Sequence, residues 1–226
     1  MHLITDLARY IDHTLLKPET ALKDIERLCA EAREHDFYAV CVNGSWVPQA
    51  RHFLDGSDVK VATVVGFPLG AVDSDTKRFE TEAAIDNDAQ EIDVVINIGR
   101  LKDGDDAYVL RELRDVVEAA AERPVKVILE TCLLTRDEKI RACRIVLDSD
   151  AQFVKTSTGF STGGATVEDV KLLREIVGEK FGVKASGGIR NAQTALAMIE
   201  AGATRLGTSS GVAIVQSMSG IEAGDY

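Results

Sequence analysis

Two lysines in matching sequence settings near the end of the chain could carry covalent chemistry. Lys155 lies in Phe-Val-Lys-Thr-Ser-Thr-Gly and Lys184 lies in Gly-Val-Lys-Ala-Ser-Gly-Gly, so each follows a valine and precedes small polar residues. Burying an ammonium group in a strand is costly, and a second ammonium group nearby lowers the pKa of the first. A partly neutral amine can attack a carbonyl carbon, so the pair indicates Schiff-base chemistry.

Eight β-rich segments must position these lysines, and they alternate with amphipathic helical segments. The predicted strands are Tyr10–Thr14, Tyr38–Val42, Val59–Val65, Glu91–Asn97, Val125–Glu130, Phe153–Ser157, Gly182–Ser186 and Arg205–Thr208. Between them, Thr135-Arg-Asp-Glu138 predicts a capping box and Thr166 predicts a helix N-cap.

Eight β/α units in 226 residues predict an α/β protein with one (β/α)8 TIM barrel. We expect a single catalytic domain over residues 1–226, with a flexible C-terminal tail from about 217 to 226. A doubly wound sheet also alternates strand and helix. Polar residues recur inside most of the strands, however, and a barrel interior accepts them more readily than a central strand covered by helices on both faces.

Side-chain alternation predicts which charged residues face the interior. In Glu91–Asn97, Asp93 shares a face with Val95 and Asn97, while the opposite face is apolar and should contact the helices. The same parity turns Asp12, Lys155 and Lys184 inward. Lys155 and Lys184 also stand at the carboxyl ends of their strands, where barrel active sites are built. Lys60 and Lys126 instead begin long apolar runs, which predicts structural positions at the opposite end.

These residue types suit carbon–carbon bond cleavage. With Lys155 as the nucleophile and Lys184 as the neighbour that lowers its pKa, a substrate carbonyl would become a protonated imine. Such an imine is an electron sink that permits cleavage or formation of the adjacent bond. Asp93 and Lys184 are the candidates for the accompanying proton transfers. The residues therefore predict an aldolase.

Two glycine-rich loops predict an anion site beside these lysines. Backbone amides at such loops and at the helix N-termini that follow can hold a phosphate group, and barrels often use the loops after strands seven and eight. We place Thr156 and Gly159, which follow Lys155, on the same binding surface. The predicted loop residues are Gly187, Gly188, Gly207, Thr208, Ser209 and Ser210, with Arg190 as a further candidate.

Composition argues against several other function classes. The formal charge is −11, which disfavours nucleic acid and anionic membranes as partners. The N-terminus has no apolar signal-peptide core, and no run of 18 apolar residues is present. Four scattered cysteines without a C-x-x-C pair predict reduced thiols in the cytoplasm. The histidines all lie in the first quarter of the chain, which argues against a metal site near the late strands.

The motifs together resemble the deoxyribose-phosphate aldolase family. The similar segments are Phe-Val-Lys155-Thr-Ser-Thr-Gly, Val-Lys184-Ala-Ser-Gly-Gly-Ile-Arg, Ile-Asp12-His-Thr-Leu-Leu, Val-Val-Gly66-Phe-Pro-Leu-Gly and Glu91-Ile-Asp93-Val-Val-Ile-Asn. The resemblance implies reversible, metal- and cofactor-free cleavage of 2-deoxy-D-ribose 5-phosphate to acetaldehyde and glyceraldehyde 3-phosphate. It also implies a dimer or tetramer.

Individual residue roles follow from the same resemblance. It implies Lys155 as the Schiff-base residue, Asp93 and Lys184 as proton donor and acceptor groups, and Asp12 as a supporting acid. It places Cys41 near the pocket as a bystander, and it implies that the C-terminal Tyr226 assists proton transfer at the imine's α-carbon.

Phe160 departs from the pattern of those family members that place a lysine after the Thr-Gly pair. The phosphate would then rest mostly on backbone amides, on hydroxyl groups and on Arg190. Two alternatives remain: another Schiff-base barrel aldolase of the transaldolase type, and a non-catalytic barrel that binds sugar phosphates. The lysine on strand seven argues against the first, and the presence of Lys155, Lys184 and Asp93 together argues against the second.

Overall fold

Eight parallel strands close into one barrel, which confirms the predicted (β/α)8 fold. The structure is a computed structural model that describes residues 6–222, with side chains up to residue 217. Each strand pairs with its sequence neighbour, and the last pairs with the first. The strands are β1 Ile11–Leu15, β2 Ala39–Val42, β3 Lys60–Val65, β4 Glu91–Val95, β5 Val125–Ile128, β6 Phe153–Lys155, β7 Gly182–Ser186 and β8 Arg205–Thr208.

The helices surround this barrel and follow the predicted start signals. Thr135 caps its helix in a reciprocal box with Glu138, and the Thr166 side chain accepts a hydrogen bond from the Asp169 amide, as predicted. The α-helices of the described chain are α1 Leu22–Glu34, α2 Val47–Phe53, α3 Ser74–Asp86, α4 Ile98–Lys102, α5 Asp106–Ala119, α6 Arg136–Asp148, α7 Val167–Val177, α8 Ala192–Glu200 and α9 Gly211–Glu222.

Strand alternation divides the buried residues into two layers. The larger layer lies between strands and helices and includes Ile92 and Val94 from β4. Inside the barrel, the apolar cluster is small and consists of Leu16, Cys41, Ala62 and Val64, with Phe67 packed against it. Charged side chains also occupy the interior, so the inward face of several strands is polar and still buried.

Three predicted strands extend too far at their carboxyl ends. Asn97 leaves the sheet to cap α4, because its side chain accepts a hydrogen bond from the Arg100 amide at 3.1 Å. Glu130 adopts a left-handed conformation with φ of 55°, which a strand residue does not have. Lys155 is likewise the last strand residue of β6. Each discrepancy marks the point at which a strand passes into a loop.

The final helix overlaps the predicted tail. Helix α9 extends to Glu222, so the boundary predicted at about 217 lies inside a helix. Tyr226 lies outside the described residues, and its predicted role stays a prediction. Within residues 6–222, no helix combines the length and the hydropathy needed to cross a membrane.

Candidate active site

Asp93 stands at the centre of a buried cluster of three lysines. Its Oδ2 atom accepts hydrogen bonds from Lys155 Nζ at 2.7 Å and from Lys184 Nζ at 2.8 Å. Its Oδ1 atom accepts one from Lys126 Nζ at 2.8 Å. All four side chains are almost completely buried. The structure thus brings together Asp93, Lys155 and Lys184, three of the residues selected from the sequence.

Asp12 joins the cluster from the opposite wall of the barrel. Its Oδ2 atom accepts a short hydrogen bond from Lys184 Nζ, and its Oδ1 atom accepts one from Arg205 Nη1 at 3.0 Å. Arg205 also reaches Glu91 at 3.3 Å, and Glu91 contacts Lys126 Nζ at 2.7 Å. The cluster therefore extends toward the amino-terminal ends of the strands. Most of its members form a closed ring in which positive and negative side chains alternate.

Strand register explains why these side chains meet. Lys155 pairs with Lys184, which itself pairs with Arg205, and Asp93 pairs with Lys126 on the next strand. Equal depth on neighbouring strands was predicted for Lys155 and Lys184, and the register confirms it. Inward side chains of a closed barrel converge on its axis, so six strands, β1 and β4 to β8, can supply one cluster.

Sequence reasoning missed Lys126, Glu91 and Arg205. We placed Lys126 at the structural end of its strand because an apolar run follows it. Lys126 does lie near the start of β5, but the prediction did not foresee that its long side chain extends along the interior to Asp93. A usable signal was present: Glu91 shares the inward parity of Asp93, and Arg205 begins the strand that leads into the second glycine loop.

The two catalytic candidates among the lysines have opposite pKa shifts. Burial lowers the pKa of Lys155, and the positive charge of Lys184 adds to this effect, although the Asp93 carboxylate opposes both. Burial also acts to lower the pKa of Lys184, but Asp12 and Asp93 outweigh it, and the pKa rises. Lys155 is thus the amine that loses its proton more readily, while Lys184 stays an ammonium group.

Both buried aspartates are held in the ionised form. Burial alone would raise the pKa of Asp93, yet Lys126, Lys155 and Lys184 hold it well below its usual range. Burial likewise raises the pKa of Asp12, but Lys184 and Arg205 overcome this and lower it to about 2. Two carboxylates that stay ionised at neutral pH therefore lie within hydrogen-bond reach of the amines.

Cys41 lies inside the barrel but is poorly suited to act as a nucleophile. It is fully buried, and burial is the main reason that its pKa rises to about 11. Because the thiolate is the reactive form of cysteine, a thiol with so high a pKa is inert near neutral pH. The environment thus favours the bystander role expected from the resemblance.

An open cavity of about 390 Å³ lies directly above Lys155 at the carboxyl ends of the strands. Asp12, Asp93 and Lys184 are not among its lining residues and lie beneath its floor. Six of the residues predicted to bind substrate line it, together with Arg190: Gly159, Gly187, Gly188, Gly207, Thr208 and Ser209. The amine and the predicted phosphate loops therefore share one cavity.

Two predicted binding residues do not line this cavity. Thr156 follows Lys155 by one residue and so has the opposite parity. Its hydroxyl group is fully buried, donates to the Ser186 carbonyl at 3.1 Å and accepts from the Ser186 amide at 3.0 Å. Ser210 directly precedes the last helix, α9, and its carbonyl oxygen accepts a hydrogen bond from the Ile214 amide in the first turn at 3.0 Å. Thr156 and Ser210 therefore make hydrogen bonds that stabilise the neighbouring backbone, and they do not line the cavity.

The glycine at 187 is required by close packing between two cavity loops. Gly187 has φ of 88°, a region that favours glycine. A Cβ atom there would lie 3.0 Å from the Gly164 Cα atom and 3.5 Å from the Gly159 Cα atom. The loops after β6 and β7 can therefore approach closely enough to form one wall of the cavity.

Phe160 lies on the cavity wall where some family members carry a lysine. Its side chain is half exposed, and its ring packs edge-on against Phe67 with 5.2 Å between the ring centroids. Phe67 belongs to the Gly-Phe-Pro-Leu-Gly loop after β3. The contact closes one side of the cavity with apolar surface instead of a cation.

Glu130 is a further cavity-supporting residue that sequence reasoning missed. It is buried, and its carboxylate accepts hydrogen bonds from the Thr158 hydroxyl and from the Thr158 amide at 3.3 Å. Thr158 and Gly159 in turn line the cavity. The left-handed backbone at Glu130, uncommon for a residue with a side chain, was the feature that could not be read from sequence.

We expect Glu130→Ala to lower the free energy of unfolding by about 1.5–3 kcal/mol, because a hydrogen-bonded buried carboxylate is lost. The KM for substrate should rise because the Thr158 loop loses its support. Chemical denaturation and steady-state kinetics would measure the two effects. Glu130→Gln, which keeps an acceptor oxygen, is the matched control. An unchanged KM in the alanine variant would contradict the assigned role.

Comparison with known proteins agrees with this geometry. Residues 7–217 match the model of the family described as DeoC/LacD family aldolase. A deoxyribose-phosphate aldolase from Alkaliphilus oremlandii is 59% identical over 211 residues, covering 93% of this chain and 95% of that one. A relative of the same name from Streptococcus gordonii is 60% identical over 210 residues, covering 93% and 96%.

Solved structures show the same architecture. An aldolase called QR15 superposes with a TM-score of 0.93 at 39% identity, covering 97% of this chain and 99% of that chain. The tetrameric deoxyribose phosphate aldolase from Aeropyrum pernix gives a TM-score of 0.89 at 32% identity, covering 95% and 92%. With the family model spanning almost the whole barrel, the chain belongs to the DeoC/LacD family of aldolases.

Proposed function

We propose that this protein reversibly cleaves 2-deoxy-D-ribose 5-phosphate into acetaldehyde and D-glyceraldehyde 3-phosphate through an imine on Lys155. The observation that carries the proposal is the buried Lys155 amine, which lines the cavity and whose pKa is lowered. The names of relatives that cover more than nine-tenths of the chain support the choice of substrate.

The reaction would begin at the open-chain aldehyde of the sugar. The neutral Lys155 amine adds to the C1 carbonyl carbon, and the carbinolamine loses water to give a protonated imine. A base then removes the proton of the C3 hydroxyl group, the C2–C3 bond breaks, and its electron pair moves into an enamine. Glyceraldehyde 3-phosphate departs with C3 as its new aldehyde carbon.

The second half of the reaction would return the enzyme to its free state. The enamine takes a proton at C2, and water hydrolyses the resulting imine to release acetaldehyde and the Lys155 amine. Lys184 is held in the protonated form and so carries a proton to donate, while Asp93 is held in the ionised form and so has an oxygen free to receive one. Asp12 would hold Lys184 in place through their short hydrogen bond. The assistance of Tyr226 at C2 stays part of this proposal.

The phosphate of the substrate would lie against the loops after β7 and β8. Gly187, Gly188 and Ser209 line the same cavity as Lys155, and Arg190 adds a positive charge at its edge. Helix α9 begins directly after Ser210, so its first amides face the same end of the barrel. This arrangement would supply a local positive site on a chain whose formal charge is −11.

We further propose a cytoplasmic homo-oligomer. The described cysteines are all free, which suits a reducing compartment. The relative from Aeropyrum pernix, which is 32% identical to this chain, is a tetramer. Neither nucleic acid nor a membrane is proposed as a partner, because the chain carries a large negative charge.

Borohydride trapping tests the proposed reaction. The protein is incubated with 2-deoxy-D-ribose 5-phosphate, reduced, and examined by intact mass and peptide mapping, while acetaldehyde release is measured in parallel. We expect one stable adduct on Lys155 and formation of both aldehydes. A folded protein with no adduct on any lysine would refute the aldolase and favour a sugar-phosphate-binding barrel. An adduct without acetaldehyde would point to another Schiff-base aldolase.

A further inference from the structure

The barrel interior contains a second layer of charges beneath the groups already assigned to the reaction. Lys126, Glu91 and Arg205 do not line the substrate cavity, yet each is at least nine-tenths buried. Lys126 Nζ connects Glu91 Oε2 at 2.7 Å to Asp93 Oδ1 at 2.8 Å. Arg205 connects Glu91 at 3.3 Å to Asp12 at 3.0 Å. Lys126, Glu91 and Arg205 form this lower layer, and the groups assigned to the reaction form the upper one. The lower layer therefore contacts both aspartates of the upper layer, Asp12 and Asp93.

The charges of the two layers do not balance when every amine is protonated. Within the described part of the chain, four cationic side chains in this network meet three carboxylates: Lys126, Lys155, Lys184 and Arg205 against Asp12, Glu91 and Asp93. One positive charge is left without an anion among side chains that are almost completely buried. An uncompensated buried charge is costly, so the network favours the loss of one proton.

Lys155 is the member that can lose that proton at least cost. Among the residues that the structure describes, Lys126 and Lys184 each contact two carboxylates, whereas Lys155 contacts one, that of Asp93. Arg205 remains protonated, because its guanidinium contacts two carboxylates and lies 3.4 Å from the Tyr38 ring centroid. The number of carboxylate partners thus singles out Lys155.

We propose that Lys126, Glu91 and Arg205 act as positioning residues that fix the charge balance of the barrel interior and so keep the Lys155 amine neutral. This inference rests on the proposed function, since it concerns the amine that forms the imine. Lys126 and Arg205 supply the two cations that occupy the carboxylates from below. Asp93, shared among three amines, then stabilises a proton on Lys155 less than an unshared carboxylate would.

The other groups facing this network do not alter the balance. Strand β2 contributes the Cys41 thiol, whose burial keeps it neutral, and β3 contributes Ala62 and Val64. Lys60 begins β3 at the far end of the barrel, where it lines a surface pocket together with Glu91 and Tyr38. Asp88 and Arg123, one anion and one cation, line the same pocket. At the opposite end, Lys17 and Arg190 line the cavity as exposed side chains. Exposed charges are screened by solvent and act more weakly.

Opposite changes in the lower layer should therefore move the pH profile in opposite directions. Lys126→Met removes one cation, so a protonated Lys155 would be balanced and its pKa should rise. The acid limb of kcat/KM should then move to higher pH by about one unit or more. Glu91→Gln removes one anion, which should move the same limb to lower pH. Lys126→Met combined with Glu91→Gln restores the balance, and its limb should return toward that of the wild type.

The measurement uses two readouts on the full chain. One is the pH dependence of kcat/KM for deoxyribose 5-phosphate cleavage, and the other is the rate of acetaldehyde adduct formation on Lys155 with cyanoborohydride, located by peptide mapping. Lys139→Met is the matched control, because Lys139 forms an ion pair with Asp169 between α6 and α7, outside the barrel interior. Its limb should match the wild type. If Lys126→Met does not fold, the acid limbs of Glu91→Gln and of the double variant are compared with that of the wild type instead.

The outcomes separate this inference from the proposed function. A wild-type protein that forms no adduct on Lys155 and releases no acetaldehyde would remove the proposed function. A wild-type protein that forms the adduct, with an acid limb unmoved in Lys126→Met or moved upward in Glu91→Gln, would overturn only the charge-balance inference. A purely structural role for Lys126 would lower the amount of folded protein without moving the limb, and would also overturn it.

Discussion

Replacing Lys155 with methionine should reduce turnover by at least about 10⁴-fold, the order expected when a covalent nucleophile is lost. The borohydride adduct should disappear with it. Methionine has a similar length and carries no charge, and Asp93 keeps its hydrogen bonds to Lys126 and Lys184. The variant should therefore fold, and circular dichroism with thermal unfolding would check this. Steady-state release of acetaldehyde measures the loss.

The control for this variant must remove a lysine that is paired but distant from the cavity. Lys139→Met meets this condition, since its partner Asp169 lies on the outer face of the barrel. Full activity in Lys139→Met, together with complete loss in Lys155→Met, would assign the effect to the amine. If Lys155→Met retained a trapped adduct on another lysine, such as Lys184, the nucleophile would have been assigned to the wrong strand.

Asp93→Asn should lower both stability and turnover. Asparagine keeps the shape of the side chain but removes the anion shared by Lys126, Lys155 and Lys184. Removing one partner from a buried ion pair typically costs about 3–5 kcal/mol, because the remaining charges stay buried without compensation. Denaturant unfolding near pH 7 would measure this difference. Turnover should fall as well, because the proton acceptor is lost.

The effect of Asp93→Asn on stability should depend on pH in a defined direction. The folded-state pKa of Asp93 is depressed far below its usual range, whereas the unfolded value is about 3.9. The carboxylate therefore contributes its full stabilisation above the unfolded pKa, and this contribution is lost as the pH falls toward the folded pKa. The difference between wild type and variant should be constant above about pH 5 and should narrow below about pH 4.

The exposed carboxylate of Asp103 provides the control for this experiment. It lies directly after α4, away from the barrel interior, so Asp103→Asn should leave the unfolding free energy within about 0.5 kcal/mol of the wild type. A gap between wild type and Asp93→Asn that stayed constant down to pH 3 would show that ionisation of Asp93 contributes nothing to stability. The lysine cluster would then need another source of compensation.

Much of the upper layer of charged residues could be predicted. The face on which a strand residue lies, and its position along the strand, can both be read from the neighbouring residues. Lys155, Lys184, Asp93 and Asp12 all face inward as their parity requires, and the first two are paired in register. The loops that line the cavity beside Lys155 follow from glycine placement after two identifiable strands. Thr156 was assigned to the binding surface although its parity already turned it away from the cavity.

The inward parity of Glu91 could be read from the sequence, but the contacts of the lower layer could not be predicted, because they depend on side-chain reach across the barrel. Lys126 is separated from Asp93 by 33 residues in sequence, and only the register of β4 against β5 makes them neighbours. Glu130 presents a similar case, since its left-handed backbone decides that the carboxylate turns toward Thr158. Such positions follow from closure of the sheet and from loop conformation, neither of which has a periodic signal in the sequence.

The pairing of the first strand with the last has a consequence for how the protein is made. Asp12 meets Lys184 and Arg205 across 172 and 193 residues of chain, so a nascent polypeptide cannot complete the charge network until nearly all of it has been synthesised. An intermediate that ends before β7 contains neither of these cations, and one that ends before β8 lacks Arg205. Barrel closure is thereby coupled to completion of the catalytic network, and aldolase activity during translation would report the arrival of the eighth strand.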